Sequence, residues 1–305
     1  MNNNEENVKC PVFEGCATAL ITPFSEGKID YASFERIIGR QISRGVRALV
    51  FCGTTGEAPT VTEQERDEMC RFAAKTVSGR AKVIFGCGSN STEGAVRLAR
   101  RAESLGADAV LAVTPYYNKA SREGIVSHYR EICRSVSIPV IAYNVPSRTG
   151  VDLDPELCRE IAKIHNLAGI KEATGSVSRA ACLISDFGAL LPLYSGADEV
   201  NVPILSIGGS GIISVASNVF PEFFSRMCSA AADGDVSAAA AMSRESYPFV
   251  AALFSEVNPI PVKTLMAHLG MCREEFRLPL CPLGADKRKK LFEEYEKFKE
   301  AHPRG

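Results

Sequence analysis

Short apolar runs alternate with longer amphipathic segments along most of the chain, starting at residue 15. The apolar runs are rich in β-branched residues, and the segments between them carry helix signals. This alternation is typical of strand–helix units on a parallel sheet whose strands are buried on both faces. Eight strands are predicted, at residues 16–20, 48–52, 83–86, 109–113, 140–143, 168–171, 193–195 and 211–215.

Capping signals mark the helices between these strands. Asp154 followed by Pro155 predicts an N-cap and the first helical residue. Gly45, Gly79 and Gly106 fit positions just after helix ends. Two pairs have the spacing of a capping box, Thr62 with Glu65 and Asn90 with Glu93.

Eight strand–helix units that end near residue 230 favour an α/β fold of the (β/α)8 TIM-barrel type. An open doubly wound sheet is the alternative, but no GxGxxG follows the first strand, so its dinucleotide-binding form lacks its fingerprint. After residue 235 the pattern is helical, and the charged run 286–300 is predicted to be a solvated helix face. We therefore predict a catalytic barrel at 1–234 and a C-terminal helical domain at 235–305.

Composition and charge narrow the possible partners and the location of the protein. The 35 basic and 36 acidic residues among 305 leave a net charge of −1, so nothing draws the chain to nucleic acid or an anionic membrane. The polar start MNNNEENVK has no apolar core of a signal peptide, which predicts a cytoplasmic protein. The uncharged stretch 200–221 contains three glycines and is predicted to be buried core rather than a membrane span.

Cysteine and histidine usage indicates neither disulfides nor a metal site. The eleven cysteines are odd in number and form no CxxC, which favours small core residues in a reducing compartment. The four histidines are far apart, and no HExxH occurs. We therefore expect small-molecule chemistry without a metal.

In a barrel of this type the reactive groups lie at the C-terminal ends of the strands. Lys171 ends the apolar run 167–170, where a cation is costly unless it is paired or neutral. A neutral amine attacks carbonyl groups, and the iminium that forms withdraws electrons from the neighbouring carbon. The alternative is a strand-end lysine that extends to water beside Glu172, and the residues alone leave both interpretations open.

Three further strand ends carry polar groups. Thr54 and Thr55, between the glycines of GTTGE at 53–57, form either an anion cradle or an ordinary turn. Tyr143 can carry protons or merely pack, and Arg148 can bind a carboxylate or be solvated. Together with Lys171 the set is consistent with carbon–carbon bond chemistry on a keto acid.

Matching segments spread along the chain carry a family pattern. They are GCATALITPF at 15–24, GTTGE at 53–57, TPYYNK at 114–119, YNVPSRTG at 143–150, GIKEATG at 169–175, SGADE at 195–199, GGSGIISV at 208–215 and NPIPVK at 258–263. By these segments the chain resembles the dihydrodipicolinate synthase and N-acetylneuraminate lyase superfamily of pyruvate-dependent class I aldolases. Within that superfamily it resembles the dihydrodipicolinate synthase branch, lyases of the diaminopimelate route to lysine.

The resemblance implies a role for each matching position. Lys171 would form a Schiff base with pyruvate, and the resulting enamine would attack L-aspartate 4-semialdehyde. Thr54, Tyr143 and Tyr117 would relay protons, with Tyr117 reaching in from a neighbouring subunit. No cofactor is implied, because the iminium is itself the electron sink. The substrate contacts implied are Thr55, Gly196 and Ile213 for pyruvate, and Arg148 for the carboxylate of the semialdehyde.

A borrowed tyrosine implies a homo-oligomer, at least a dimer, and the family's usual assembly is a homotetramer. Members that lysine inhibits carry a set of polar residues at a dimer-interface site, of which Asn90 and Tyr116 match as candidate allosteric contacts. Four other positions depart from the pattern of serine, two histidines and glutamate, namely Ala58, Glu63, Arg66 and Gly94. We therefore expect weak or absent lysine inhibition.

Two alternative functions remain. One is a related class I pyruvate aldolase, an N-acetylneuraminate lyase or a 2-keto-3-deoxy sugar acid aldolase; Arg148 and Thr55 are closer to the synthase pattern. The other is a non-catalytic barrel that binds a keto acid, since a fold does not guarantee activity.

Overall fold

Eight parallel strands close into a barrel in the computed structural model, which describes residues 9–187 and 190–302. Each strand of the barrel pairs with its neighbour in the sequence, and the first strand also pairs with the last, which closes the barrel. The strands are β1 Gly15–Ala19, β4 Ala48–Phe51, β5 Lys82–Gly86, β6 Ala109–Val113, β7 Val140–Asn144, β8 Leu167–Glu172, β9 Leu193–Ser195 and β10 Gly211–Ser214; a small hairpin adds β2 Phe24–Ser25 and β3 Lys28–Ile29. The predicted barrel is confirmed, and each predicted strand is correct to within one residue.

Helices surround the barrel and continue beyond it. Those between or directly after the strands are α1 Tyr31–Ser43, α2 Glu63–Val77, α3 Thr92–Ser104, α4 Arg122–Ser135, α5 Pro146–Thr149, α6 Pro155–Ala162, α7 Val177–Phe187, α8 Asn201–Ser206 and α9 Pro221–Ala232. Three more follow, α10 Val236–Leu253, α11 Ile260–His268 and α12 Ala285–Ala301. No strand follows β10 in the part of the chain that the structure describes.

Most of the predicted helix boundaries are confirmed. Thr62 and Glu65 form a reciprocal capping box, Asp154 caps α6, and the three predicted glycines have positive φ directly after helix C-caps. The capping box at Asn90 is wrong. Ser91 caps α3 instead, with its hydroxyl accepting a hydrogen bond from the Gly94 amide, because two consecutive residues can cap and the second fits the first turn.

The barrel interior is filled at its N-terminal end. Phe13, just before β1, stacks on Tyr194 of β9 with 4.5 Å between ring centroids. The Val12 amide donates a hydrogen bond to the Tyr194 hydroxyl oxygen at 2.9 Å. Since this end is closed by side chains, a substrate must approach the inward-facing groups from the C-terminal end of the strands.

The C-terminal helices pack onto the barrel rather than around a core of their own. Phe298 of α12 contacts Phe220, which follows β10, with 4.8 Å between ring centroids. Leu253, Leu291 and Phe298 belong to the same apolar cluster as the layer between the strands and helices. The charged residues of α12 lie mostly at the surface, as predicted. The division at residue 234 stays a prediction, and residues 1–8 and 303–305 lie outside the described part.

The cysteines and the uncharged stretch 200–221 belong mainly to the interior. All eleven cysteines are free thiols, seven of them buried, and burial raises the pKa of Cys87 to about 12. The stretch 200–221 contains α8 and β10 and is mostly buried. In residues 9–187 and 190–302, no helix is long and apolar enough to cross a membrane.

Candidate functional site

Lys171 lies on β8 and its side chain is almost completely withdrawn from solvent. Only 6% of the residue is exposed. Its partner in the parallel register is Tyr143 of β7, and the Lys171 Nζ lies 4.3 Å from the centroid of the Tyr143 ring. The amine therefore sits against the electron-rich face of a phenol that belongs to the inner barrel cluster.

Glu172 does not pair with this amine. Side chains alternate along a strand, so residues 171 and 172 point to opposite faces of the sheet. The Glu172 carboxylate accepts hydrogen bonds from the Asn144 side-chain amide at 2.9 Å and from the Thr174 amide at 2.7 Å. A lysine that extends to water beside Glu172 is therefore ruled out, and the interpretation of Lys171 as an inward-facing amine remains.

Gly196 follows β9 and makes room for the lysine side chain. A β-carbon at residue 196 would lie 2.8 Å from Cε and 3.0 Å from Cγ of Lys171, well inside van der Waals contact. The Gly196 amide donates a hydrogen bond to the Glu172 carbonyl oxygen at 2.7 Å, which fixes the distance between the two strand ends. Ile213 of β10 belongs to the same inner cluster.

The GTTGE segment forms a tight turn at the mouth of the barrel. The Gly56 and Glu57 amides donate hydrogen bonds to the Gly53 and Thr54 carbonyl oxygens, both at 3.1 Å. The Thr55 hydroxyl oxygen accepts a hydrogen bond from the Asn258 side-chain amide at 3.0 Å. Thr54 and Thr55 are thus held by backbone bonds within the turn and by a contact from the C-terminal region.

A cleft of about 330 Å³ opens beside these groups. Thr54, Tyr143 and Arg148 line it, together with Tyr116 and Asn258. Lys171 contacts Tyr143, which lines the cleft, but Lys171, Thr55, Gly196 and Ile213 are not themselves among the lining residues. The Arg148 Nη2 donates a hydrogen bond to the Asn258 carbonyl oxygen at 3.1 Å, which orients the guanidinium along the wall.

Tyr117 is the one proposed relay residue that the structure keeps away from the others. It is 88% exposed and has a φ of 73°, in the left-handed region that disfavours side chains. Tyr116 lines the cleft, and the Asn90 carbonyl oxygen accepts a hydrogen bond from the Asn118 side chain at 2.9 Å. Within a single chain Tyr117 therefore does not join Thr54 and Tyr143 at the cleft.

Sequence reasoning missed the contribution of the segment 258–263. Asn258 contacts both Thr55 and Arg148, and Lys263 forms a buried ion pair with Glu57. In the sequence this segment is notable only as part of the family pattern. A lysine within the apolar run of α11 was the signal that could have indicated a buried partner.

A buried amine at the open end of a (β/α)8 barrel, with a phenol against it and an arginine in the adjoining cleft, is the arrangement of a Schiff-base-forming aldolase. The chain belongs to the dihydrodipicolinate synthetase family, whose model matches residues 12–297.

Solved and curated relatives agree with this assignment. The 4-hydroxy-tetrahydrodipicolinate synthase of Alkaliphilus oremlandii is 45% identical over 94% of this chain and 99% of its own length. The structure of the synthase from Methylacidiphilum fumariolicum SolV has a TM-score of 0.93 at 40% identity, covering 94% of this chain and 96% of that one. The enzyme of Cyanidioschyzon merolae, solved with lysine bound, has a TM-score of 0.91 at 34% identity, covering 95% and 99%.

Gly196→Ala tests the packing around Lys171. The added methyl group would displace the lysine side chain, so we expect reductive trapping of pyruvate on Lys171 to slow by about 100-fold, the order that misplacement by an ångström costs. The rate is measured by mass spectrometry after borohydride treatment. Gly39→Ala, in α1 with no atom within 4 Å of the added carbon, is the control. Unchanged trapping in Gly196→Ala would contradict the assigned geometry.

Proposed function

We propose that the chain is a 4-hydroxy-tetrahydrodipicolinate synthase, which condenses pyruvate with L-aspartate 4-semialdehyde. The observation that carries the proposal is the buried Lys171 amine against Tyr143 at the open end of the barrel. Family membership and the names of the curated relatives support the same reaction.

In the proposed reaction the Lys171 Nζ attacks the carbonyl carbon of pyruvate. Loss of water gives an iminium, and loss of a methyl proton gives an enamine whose carbon attacks the aldehyde of the semialdehyde. Tyr143 brings a phenol to the amine, since its ring contacts the Lys171 Nζ and lines the cleft, and its hydroxyl would move protons at the carbinolamine. Thr54, on the same wall, would connect the phenol to the rest of the relay.

Pyruvate and aspartate semialdehyde each carry a carboxylate that needs a hydrogen-bond donor. Thr55 is suited to bind the first and Arg148 the second. The Thr55 hydroxyl oxygen accepts its bond from Asn258, so its proton is directed elsewhere and can be donated to the pyruvate carboxylate. The Arg148 guanidinium has five donors and uses one on the Asn258 carbonyl. The others suit the carboxylate of the second substrate.

Tyr117 supports an oligomeric enzyme. A large aromatic side chain that is 88% exposed on a strained backbone is unfavourable for an isolated chain. We propose that it completes the relay of a neighbouring subunit, so that the active form is at least a dimer.

Reductive trapping tests the reaction directly. We expect pyruvate and borohydride to leave a stable adduct on Lys171, detected by peptide mass spectrometry, and Lys171→Ala to abolish it because no other described amine lies in this position. Addition of aspartate semialdehyde should compete with trapping. Failure of the parent chain to form the adduct, or a steady-state preference for N-acetylneuraminate over the semialdehyde, would overturn the proposal.

Mixing two inactive variants tests the shared site. Refolding Lys171→Ala together with Tyr117→Phe should restore about a quarter of the parent activity, because half of the random dimers are mixed and one of their two sites is complete. The matched control is Lys171→Ala mixed with Tyr143→Phe. Lys171 and Tyr143 lie on adjacent strands of one chain, so this mixture contains no complete site and should stay inactive. Equal recovery in both mixtures would contradict the assignment of Tyr117 to the partner.

Lysine inhibition is expected to be weak. Arg66 holds its guanidinium at the cleft by donating to the Ala58 and Gly86 carbonyl oxygens at 2.6 and 3.1 Å, and its charge repels an ammonium group. Gly94 stands where lysine-inhibited members carry glutamate, so this position offers no carboxylate to bind the ammonium group of lysine. Roughly 1 mM lysine should leave more than half of the activity in a coupled steady-state assay, which corresponds to a dissociation constant above the micromolar range. Potent inhibition at micromolar lysine would show this reading of the site to be wrong.

A further inference from the structure

A fully buried ion pair joins the GTTGE turn to the C-terminal region. Both side chains, Glu57 and Lys263, are 0% exposed, and the Lys263 Nζ lies 2.6 Å from the Glu57 Oε1. The ammonium also contacts the faces of Phe24 and Phe276, with 4.1 and 5.2 Å to the ring centroids. Burial lowers the pKa of Lys263 from its usual value, although the neighbouring carboxylate opposes this effect.

The backbone of Glu57 has a conformation that disfavours residues with a side chain, so contacts from elsewhere in the chain help to hold it. It closes the turn with a φ of 54°, in the left-handed region, and starts a short 3-10 turn at residues 58–60. Its second oxygen accepts a hydrogen bond from the Arg277 amide at 3.2 Å. Both oxygens are therefore bound by residues of the C-terminal region, more than 200 positions away.

The same region holds the turn at a second point. Asn258, five positions before Lys263, donates to the Thr55 hydroxyl oxygen. Thr55 and Glu57 are thus fixed from one side by a single segment, 258–263, while Thr54 between Gly53 and Thr55 lines the cleft. A side chain can be placed to within tenths of an ångström only if the groups around it are themselves fixed.

We propose that Lys263 is a positioning residue for the active site, which acts through Glu57 to hold Thr54 and Thr55 at the mouth of the barrel. Glu57 is among the residues that line the cleft, and its carboxylate is bound by Lys263 and by the Arg277 amide. Burial of two charges contributes little to stability by itself, whereas removal of one partner leaves an uncompensated charge that must move toward water. For Glu57 such a movement would pull the turn away from the cleft.

The inference rests on the proposed function for its catalytic part, and its structural part can be tested separately. Lys263→Met keeps most of the side-chain volume and removes the charge. In Lys263→Met with Glu57→Gln the unpaired carboxylate is also gone, which protects against loss of folding. Hydrogen exchange of the Gly56, Glu57 and Ala58 amides reports on the turn, since each donates a bond within it.

We expect these amides to exchange at least about 10-fold faster in Lys263→Met. The Gly56 and Ala58 amides should be accelerated by a smaller factor in the double variant, because no unpaired carboxylate remains there to pull the turn toward water. Below the melting temperature, reductive trapping of pyruvate should slow by about 10-fold or more, with the larger effect on KM for pyruvate because Thr55 is displaced. Arg288→Met with Glu274→Gln is the matched control. That pair also lies in the C-terminal region, but it bonds to Thr264 rather than to the turn.

A merely structural role would lower the melting temperature, would speed exchange across the barrel rather than at residues 56–58 in particular, and would leave the trapping kinetics of the folded protein unchanged. Unchanged exchange at residues 56–58 would therefore overturn the inference, as would parent-like trapping kinetics in a variant with a loosened turn. If the parent chain itself formed no adduct, the proposed function would fail, and the exchange measurement would still decide whether Lys263 holds the turn.

Discussion

A primary amine held away from water is the constraint around which this molecule is arranged. A buried ammonium is expensive, so Lys171 needs a surrounding that tolerates it, and the structure supplies the face of Tyr143 and a glycine at residue 196 instead of a carboxylate. A paired carboxylate would hold the amine in its charged form, which cannot attack a carbonyl. The nearest candidate, Glu172, is committed to Asn144 and Thr174 on the other face of the sheet. Strand alternation thus places the Glu172 carboxylate and the Lys171 amine on opposite faces of the sheet.

The C-terminal region is part of the site rather than an appendage to the barrel. Asn258 contacts a threonine of the turn and orients Arg148, and Lys263 and Arg277 bind Glu57. The Arg277 guanidinium also pairs with Glu65 of α2, whose pKa is lowered to about 2 mainly by that bond. These contacts are polar and specific, whereas the packing of α10 and α12 on the barrel is apolar. The apolar contacts keep the region in place, and the polar contacts set the position of the mouth of the barrel.

Sequence patterns predicted most of the fold because strands buried on both faces must be apolar over their whole length. The polar residues that follow each apolar run mark the end of the strand. They failed where the decisive partner is distant in the chain. Glu57 and Lys263 are 206 positions apart, and Asn258 and Thr55 are 203 apart, so no local period connects them. The misplaced cap at Asn90 is a different failure, since Asn90 and Ser91 both satisfy the local rule and only the path of the chain selects between them.

The backbone around Tyr117 connects the proposed assembly of the enzyme with its proposed catalysis. Tyr117 and Lys119 both have positive φ, and each costs roughly 1–2 kcal/mol relative to ordinary backbone. Strain of this kind persists only where the surrounding structure holds it in place. The strain directs a phenol outward from the loop after β6, next to Tyr116 at the cleft. A second copy that receives this side chain would bury an aromatic group that is otherwise exposed. In the proposed relay the same contact would add the Tyr117 phenol to Tyr143 and Thr54, so assembly and catalysis would depend on one contact.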